Sequence, residues 1–241
     1  MQNLEQWQKW FESPSEVAVE QKPAIKFLDP NLRRRASQLS RMALESARCC
    51  LDIDSLSTIP VVFGSRHGES RTSQALLEML GADDLLSPMA FSLSVHNVPT
   101  GLLSIATNNR QATTAVAANK QTFCYTLLES LTRLELESSL LMIVGEELVP
   151  DILAGPVEEW RVPFALSFVL AGSSDDGGRI SVSMRETSAE EEQYCTLSQG
   201  LIFARWLFSP ELELKLSHRH CEWCFKKESK TYLDIFGAEY C

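Results

Sequence analysis

Three short runs of small and β-branched apolar residues constrain this chain more than any other feature. They are TIPVVFGS (residues 58–65), ATTAVAA (112–118) and SSLLMIVGEE (138–147). Runs that are apolar throughout suit strands buried on both faces, as in a parallel sheet covered by helices. The segments between them have helical spacing. LRRRASQLSRMALESARCCLD repeats apolar residues at Leu32, Leu39, Met42, Ala43 and Ala47, which predicts one helix. RTSQALLEMLG predicts another, with Gly81 as its stop, and QTFCYTLLESLTRL a third. The alternation predicts α/β layers.

Later segments are read in the same way. PFALSFVLAGSSDDGGRISVSMRET predicts two strands joined by an acidic, glycine-containing turn. SAEEEQYCTLSQGLIFARWLF predicts a helix entered through a negatively charged turn, which suits a helix N-terminus. FSLSVHN alternates apolar and polar residues, so it reads as a strand entering a glycine turn, and VPTGLLSIATNN reads as helical. One domain is expected over residues 1–208, with a polar, irregular C-terminal extension over 209–241.

Charge and composition exclude several classes. A net charge of -10 argues against nucleic acid as the main partner, because phosphate binding needs a positive surface. The basic stretch NLRRRASQLSR is a local exception, read as a solvated helix start or as a contact for an anion or an acidic protein. No apolar run reaches the ~18 to 20 residues of a membrane span. The opening MQNLEQWQKWFESPSE has no basic stretch leading into an apolar core, so no secretory leader is expected and the protein is read as cytoplasmic. The seven cysteines are odd in number and irregularly spaced, which speaks against a disulfide framework. HRHCEWC offers His218, His220, Cys221 and Cys224 as metal ligands or as ordinary residues of an irregular tail. A structural zinc site usually draws a second ligand pair from elsewhere, and none is evident, so neither metal nor other cofactor is expected.

The stretch from Ser87 to Leu131 reads like a strand-to-helix elbow of the kind that presents a nucleophile. At its turn the chain has Ala118-Asn119-Lys120-Gln121, with neither Cys nor Ser. Lys120 is a catalytic amine only if burial strips its proton. Otherwise it is a solvated or interface lysine. Cys124, one helical turn further on, reads as a small core residue rather than a displaced nucleophile. His96, beside Asn97, is expected to bond nearby backbone and hold its turn. Arg66, His67 and Glu69 are expected to form a polar network on the loop after the first strand, where α/β folds often face a ligand. That network is read as structural or as a contact to a partner or its substrate.

RRRASQLSRMALESA, PVVFGSRHGE, SPMAFSLSVHN and VGEE together resemble the N-terminal half of β-ketoacyl synthases of the thiolase-like fold. GSRHGE, FSLSVHN and SIATNNR are more closely similar to a group of short proteins, the chain length factors. These are inactive partners of ketoacyl synthases in bacterial aryl polyene and related pigment pathways. The resemblance covers about Trp7 to Leu170 and implies a layered α/β/α half of a ketoacyl synthase. It places Lys120 where the nucleophilic Cys would stand. The chain departs from the pattern at Asn119 and Lys120, where a Gly and an acidic residue are expected, and at Gln111, where a Gly is usual.

What the resemblance implies is a subunit rather than an enzyme. Decarboxylative condensation needs a thiolate and donors for the thioester oxyanion. The four histidines, His67, His96, His218 and His220, lie outside the glycine-rich contexts that family uses. A ketoacyl synthase is the implied partner, forming a heterodimer through the strand around Thr113, Thr114 and Val116, with Phe123 nearby. Acyl carrier protein is reached through that complex. Met89, Ala90 and Phe91 are implied to line the tunnel for the growing chain. The alternative is a small acyl-thioester enzyme, a thioesterase or acyltransferase, and a third reading is a self-pairing homodimer.

Overall fold

The computed structural model describes residues 4–13, 22–150, 152, 162–172, 178–187, 197–218 and 220–228. It divides into two compact units. The larger holds the described residues within 22–152 and 162–172; the smaller holds those of 4–13 and 178–228.

The larger unit begins with α2 (Pro30–Arg35), after α1 (Leu4–Glu12) of the smaller unit, and continues with α3 (Gln38–Cys50) and α4 (Ile53–Leu56). The single helix expected from Leu32 onward is thus two. Ser37 breaks it by turning extended and accepting a hydrogen bond from the Ser40 amide, as an N-cap does. Asp29 caps α2 and Asp52 caps α4 in the same manner. Then follow β1 (Val61–Gly64), α5 (Ser70–Gly81), α6 (Pro88–Ser92), α7 (Val98–Thr107), β2 (Thr113–Val116), a 3₁₀ turn (Asn119–Gln121), α8 (Thr122–Arg133), β3 (Ser139–Glu146) and β4 (Phe164–Ala171).

The strands form one sheet in the order β2-β1-β3-β4. β1 is parallel to β2 and β3, and β4 is antiparallel to β3. Val61, Phe63, Leu141 and Ile143 face a core shared with Leu39, Ala43 and Ala47 of α3 and Leu102 and Leu103 of α7. The opposite face carries α8. A Cβ at Gly64 would lie 2.0 Å from the Thr126 hydroxyl oxygen, so α8 packs against bare backbone there. The larger unit is therefore a sheet between two helical layers, the α/β/α arrangement expected. ATTAVAA is not buried on both sides. Thr113 is exposed and Thr114, Ala115 and Val116 are half-buried, because β2 is an edge strand with β1 as its neighbour in the described sheet.

FSLSVHN is not a strand. Ser87 accepts from the Ala90 amide and Pro88 occupies the first helical turn, so Phe91 and Ser92 end α6 and the chain then turns into α7. The two strands of PFALSFVLAGSSDDGGRISVSMRET both form but do not pair with each other. β5 (Ile180–Glu186) belongs to the smaller unit with α9 (Gln199–Phe208), β6 (Glu213–His218) and β7 (Cys221–Lys227), in a sheet ordered β5-β7-β6. The turn between β4 and β5 and the acidic approach to α9 lie outside the described residues, as do Cys195 and Cys241.

The described residues of the segment expected to be an irregular extension thus form two regular strands, and the smaller unit takes in β5 and α9 as well. Leu214, Leu216, Trp223 and Phe225 alternate with polar residues, which is strand spacing. Phe203 and Trp206 of α9 pack their rings on Phe225, and Phe11 of α1 lies 6.0 Å from Phe208. The amine of Lys227 is buried at the end of α9. It donates to the carbonyls of Trp206 and Ser209 and lies 4.8 Å from the Trp206 ring centre, a cation at a helix C-terminus.

Candidate functional site

The carboxyl ends of the parallel strands gather the residues of interest. Gly64 stands opposite both Val116 and Val144. Two residues further along this register are Arg66, Ala118 and Glu146. The loop after β1, the elbow after β2 and the end of β3 therefore share one edge of the sheet, where α/β folds place their sites.

The elbow exists. After β2 the chain passes Ala118 and turns at Asn119, whose φ of 53° is left-handed. Asn tolerates this conformation better than other non-glycine residues, so the departure from Gly at this position keeps the turn. Thr122 fastens it: the hydroxyl donates to the Asn119 carbonyl at 2.7 Å and accepts from the Ala118 amide at 3.0 Å. Thr126 and Ser130 continue that stripe down α8, each donating to the carbonyl four residues earlier. Lys120 is half-buried beside the turn. Cys124 is fully buried in α8, as expected of a core residue. Phe123 is only 3% exposed, so it packs inside its own chain and does not present its ring at a surface.

Glu146 organises the loop after β1. Its carboxylate accepts from the Arg66 amide, from the His67 amide at 3.4 Å and from the Ser65 hydroxyl at 3.2 Å. The Gly68 amide donates to the Ser65 hydroxyl oxygen, and Gly68 has a φ of 53°. The His96 ring closes over this turn. Its Nε2 lies 2.7 Å from the Ser65 carbonyl, so that nitrogen donates. A Cβ on Gly68 would meet the His96 ring at 2.7 Å, which fixes glycine there. His96 is expected from the sequence to bond nearby backbone and hold its own turn; its ring instead bonds the Ser65 carbonyl, 31 residues away, and it does not stand on a strand. Asn97 is exposed at the start of α7 and its side chain does not cap that helix.

The expected network of Arg66, His67 and Glu69 divides in two. The Arg66 and His67 amides turn to Glu146. Glu69 turns away, accepting from the hydroxyls of Ser37 at 2.7 Å, Ser40 at 2.9 Å and Thr72 at 3.3 Å. Glu69 is 2% exposed and Glu147 6%. Burial raises the affinity of all three carboxylates for protons; Glu146 and Glu147 are each pushed up to about 7, the latter also by the nearby charge of Glu69. Glu146, Glu147 and Thr122 were missed as site residues in the sequence. The available signal was two adjacent carboxylates directly after a fully apolar strand.

Met89 and Phe91 are exposed on α6 and Ala90 is half-buried. They do not stand alone. Leu77, Leu80, Leu85, Leu86 and Val95 are exposed in the same segment, Phe91 by 64% and Leu85 by 95%. In the smaller unit, Cys221 lies opposite His218, and the Cys224 thiol donates to Glu222. Among the described residues no group of three or more His, Cys, Asp or Glu could hold a metal ion, and no helix is long and apolar enough to cross a membrane.

Comparison with known proteins agrees with this architecture. The ketosynthase ApeO in complex with its chain length factor ApeC from Xenorhabdus doucetiae matches with a TM-score of 0.75 at 24% identity, over 94% of this chain and 93% of the other. The ishigamide ketosynthase/chain length factor matches with a TM-score of 0.59 at 14% identity, over 76% of this chain and 63% of the other. A β-ketoacyl synthase from Burkholderia phymatum gives 0.54 at 12% identity, over 76% and 57%. The fold is therefore that of the thiolase-like ketosynthases. No curated protein sequence gives a significant match. The family model for the β-ketoacyl synthase N-terminal domain matches residues 7–226, across both units. The chain belongs to the β-ketoacyl synthase N-terminal domain family.

Proposed function

We propose that this chain is a non-catalytic chain length factor. It pairs with a ketosynthase and forms part of the wall of the tunnel in which that enzyme elongates an acyl chain. The observation that carries the reading is the elbow. Its turn at Asn119 is fastened by Thr122, and the resemblance in the sequence puts Lys120 there at the position where condensation needs a thiolate. The next thiol along, Cys124, is sealed in α8. The partner would supply both the nucleophile and the contacts with acyl carrier protein, in the cytoplasm.

Two surfaces support a partner. β2 ends the described sheet, and an open edge is a template for pairing with another chain. The exposed apolar residues from Leu77 to Val95 are more than a scatter of single side chains and mark an interaction face. The solved complex of ApeO with ApeC, which shares the fold, pairs a ketosynthase with a chain length factor. The resemblance noted in the sequence favours a product among bacterial aryl polyene pigments or related polyketide and fatty acid chains.

Co-expression with a candidate ketosynthase partner tests the pairing. One-to-one co-purification is expected, and Val116→Asp should abolish it, since a buried unpaired charge costs several kcal/mol. Full recovery of the complex with Val116→Asp would displace the interface from β2. Ala90→Phe, in an assembled complex, should shift the products to shorter chains. An unchanged distribution would remove Ala90 from the tunnel wall.

A further inference from the structure

The proposed pairing role uses the elbow and the apolar face. It leaves unexplained why three carboxyl groups are buried at the carboxyl end of the sheet. Glu146 and Glu147 are successive residues at the end of β3, and Glu69 stands at the N-cap of α5. Their supports differ. Glu146 is satisfied by two amides and a hydroxyl, and Glu69 by three hydroxyls. Glu147 lies near the backbone amides of Leu39 and Arg71, in the first turns of α3 and α5. Yet its Oε1 is buried with no hydrogen-bond partner. A buried carboxylate oxygen without a donor, beside a second buried carboxylate, is costly when ionised and far less so as a neutral acid.

Other charges nearby do not neutralise it. Arg71 faces Glu147 from α5, but its Nε donates to the Leu148 carbonyl at 2.9 Å. Arg66 faces Glu146 from the loop, and His96 faces Glu69 from the turn before α7. A negative charge on Glu69 therefore opposes a second one on Glu147.

We propose that Glu147 is a proton-operated latch: while its buried carboxyl holds a proton, α3 and α5 close on the end of β3, and loss of that proton beside Glu69 loosens the first turn of α5. The direction in pH follows from linkage. The closed form holds its proton up to about pH 7, whereas a freed glutamate releases it at its ordinary value of 4.5. The closed form binds more protons between these limits, so the latch weakens as pH rises from about 4.5 to 7 and changes little above. This inference does not rest on pairing with a ketosynthase.

Hydrogen exchange at the Ser73 amide reports the latch, because that amide donates to the Glu69 carbonyl in the first turn of α5. After correction for the intrinsic effect of pH on exchange, protection at Ser73 in the full chain should fall at least tenfold between about pH 5.5 and 7.5, a linked proton giving up to tenfold per unit. In Glu147→Gln the fall should shrink to the smaller part left by Glu69. Should that variant fail to fold, Glu69→Gln serves, since removing the neighbouring charge should lower the midpoint and shrink the fall. Equal protection at both pH values in the unmodified protein, or an undiminished fall in whichever variant folds, would overturn the proposal.

Discussion

The loops after β1 and β2 leave the same edge of one sheet and are held in opposite ways. The loop after β1 wraps a carboxylate. Glu146 gathers two amides and a hydroxyl, His96 closes the turn, and Gly68 makes room for the ring. The elbow after β2 is held by the hydroxyl of Thr122 and turns at an exposed Asn119. In an enzyme the elbow carries the chemistry. Here the more heavily built loop is the other one. The difference fits the proposal that the elbow serves as a shape for a partner at the edge of β2, while the β1 loop is part of the chain's own foundation.

Substitutions can break that contrast. The largest effect is expected at Glu146. Glu146→Ala leaves the Arg66 and His67 amides and the Ser65 hydroxyl without an acceptor, and each unsatisfied buried group costs ~1 to 3 kcal/mol. The urea midpoint should fall by an amount equivalent to about 3 kcal/mol. A loss below about 1 kcal/mol would mean that water replaces the carboxylate and the loop is not foundational.

The elbow should respond less. Thr122→Val keeps the shape of the side chain and removes its hydroxyl, so a loss of about 1 kcal/mol in the same measurement is expected. A loss matching that of Glu146→Ala would erase the distinction between the loops. The smallest effect belongs to Asn119→Gly. Glycine enters a left-handed conformation without steric cost but orders a freer chain, so the change should lie within about 0.5 kcal/mol of zero. A larger loss would show that the Asn119 side chain holds the elbow from within.

The sequence revealed most where one segment decides its own fate. β1, β3 and α8 were legible because their apolar runs and helical spacing leave few alternatives. The elbow was legible through its order of strand, small residues and helix. Features that depend on two distant segments were hidden. FSLSVHN alternates like a strand, and only the cap at Ser87 and the proline after it turn its beginning helical. ELELKLSH alternates as well, but its charged residues make it read as a solvated tail until β7 and α9 cover Leu216. Glu147 looks like an ordinary surface charge and Glu69 like part of a loop network, since their burial depends on how α3 and α5 meet the end of β3. β4 and β5 each read correctly as strands, yet pairing partners far along the chain separate them.

The central claim is that this chain keeps the elbow and leaves the chemistry to a partner. The direct test is a condensation assay with malonyl- and acyl-carrier protein, read by mass spectrometry of the carrier-bound products. The chain alone should give no ketoacyl product, and the co-purified complex should give it. Substituting the partner's nucleophilic cysteine should abolish that product, while Lys120→Ala and Cys124→Ala in this chain should leave its formation intact. Condensation by the purified chain alone, or its loss from an assembled complex on changing Lys120 or Cys124, would contradict the account.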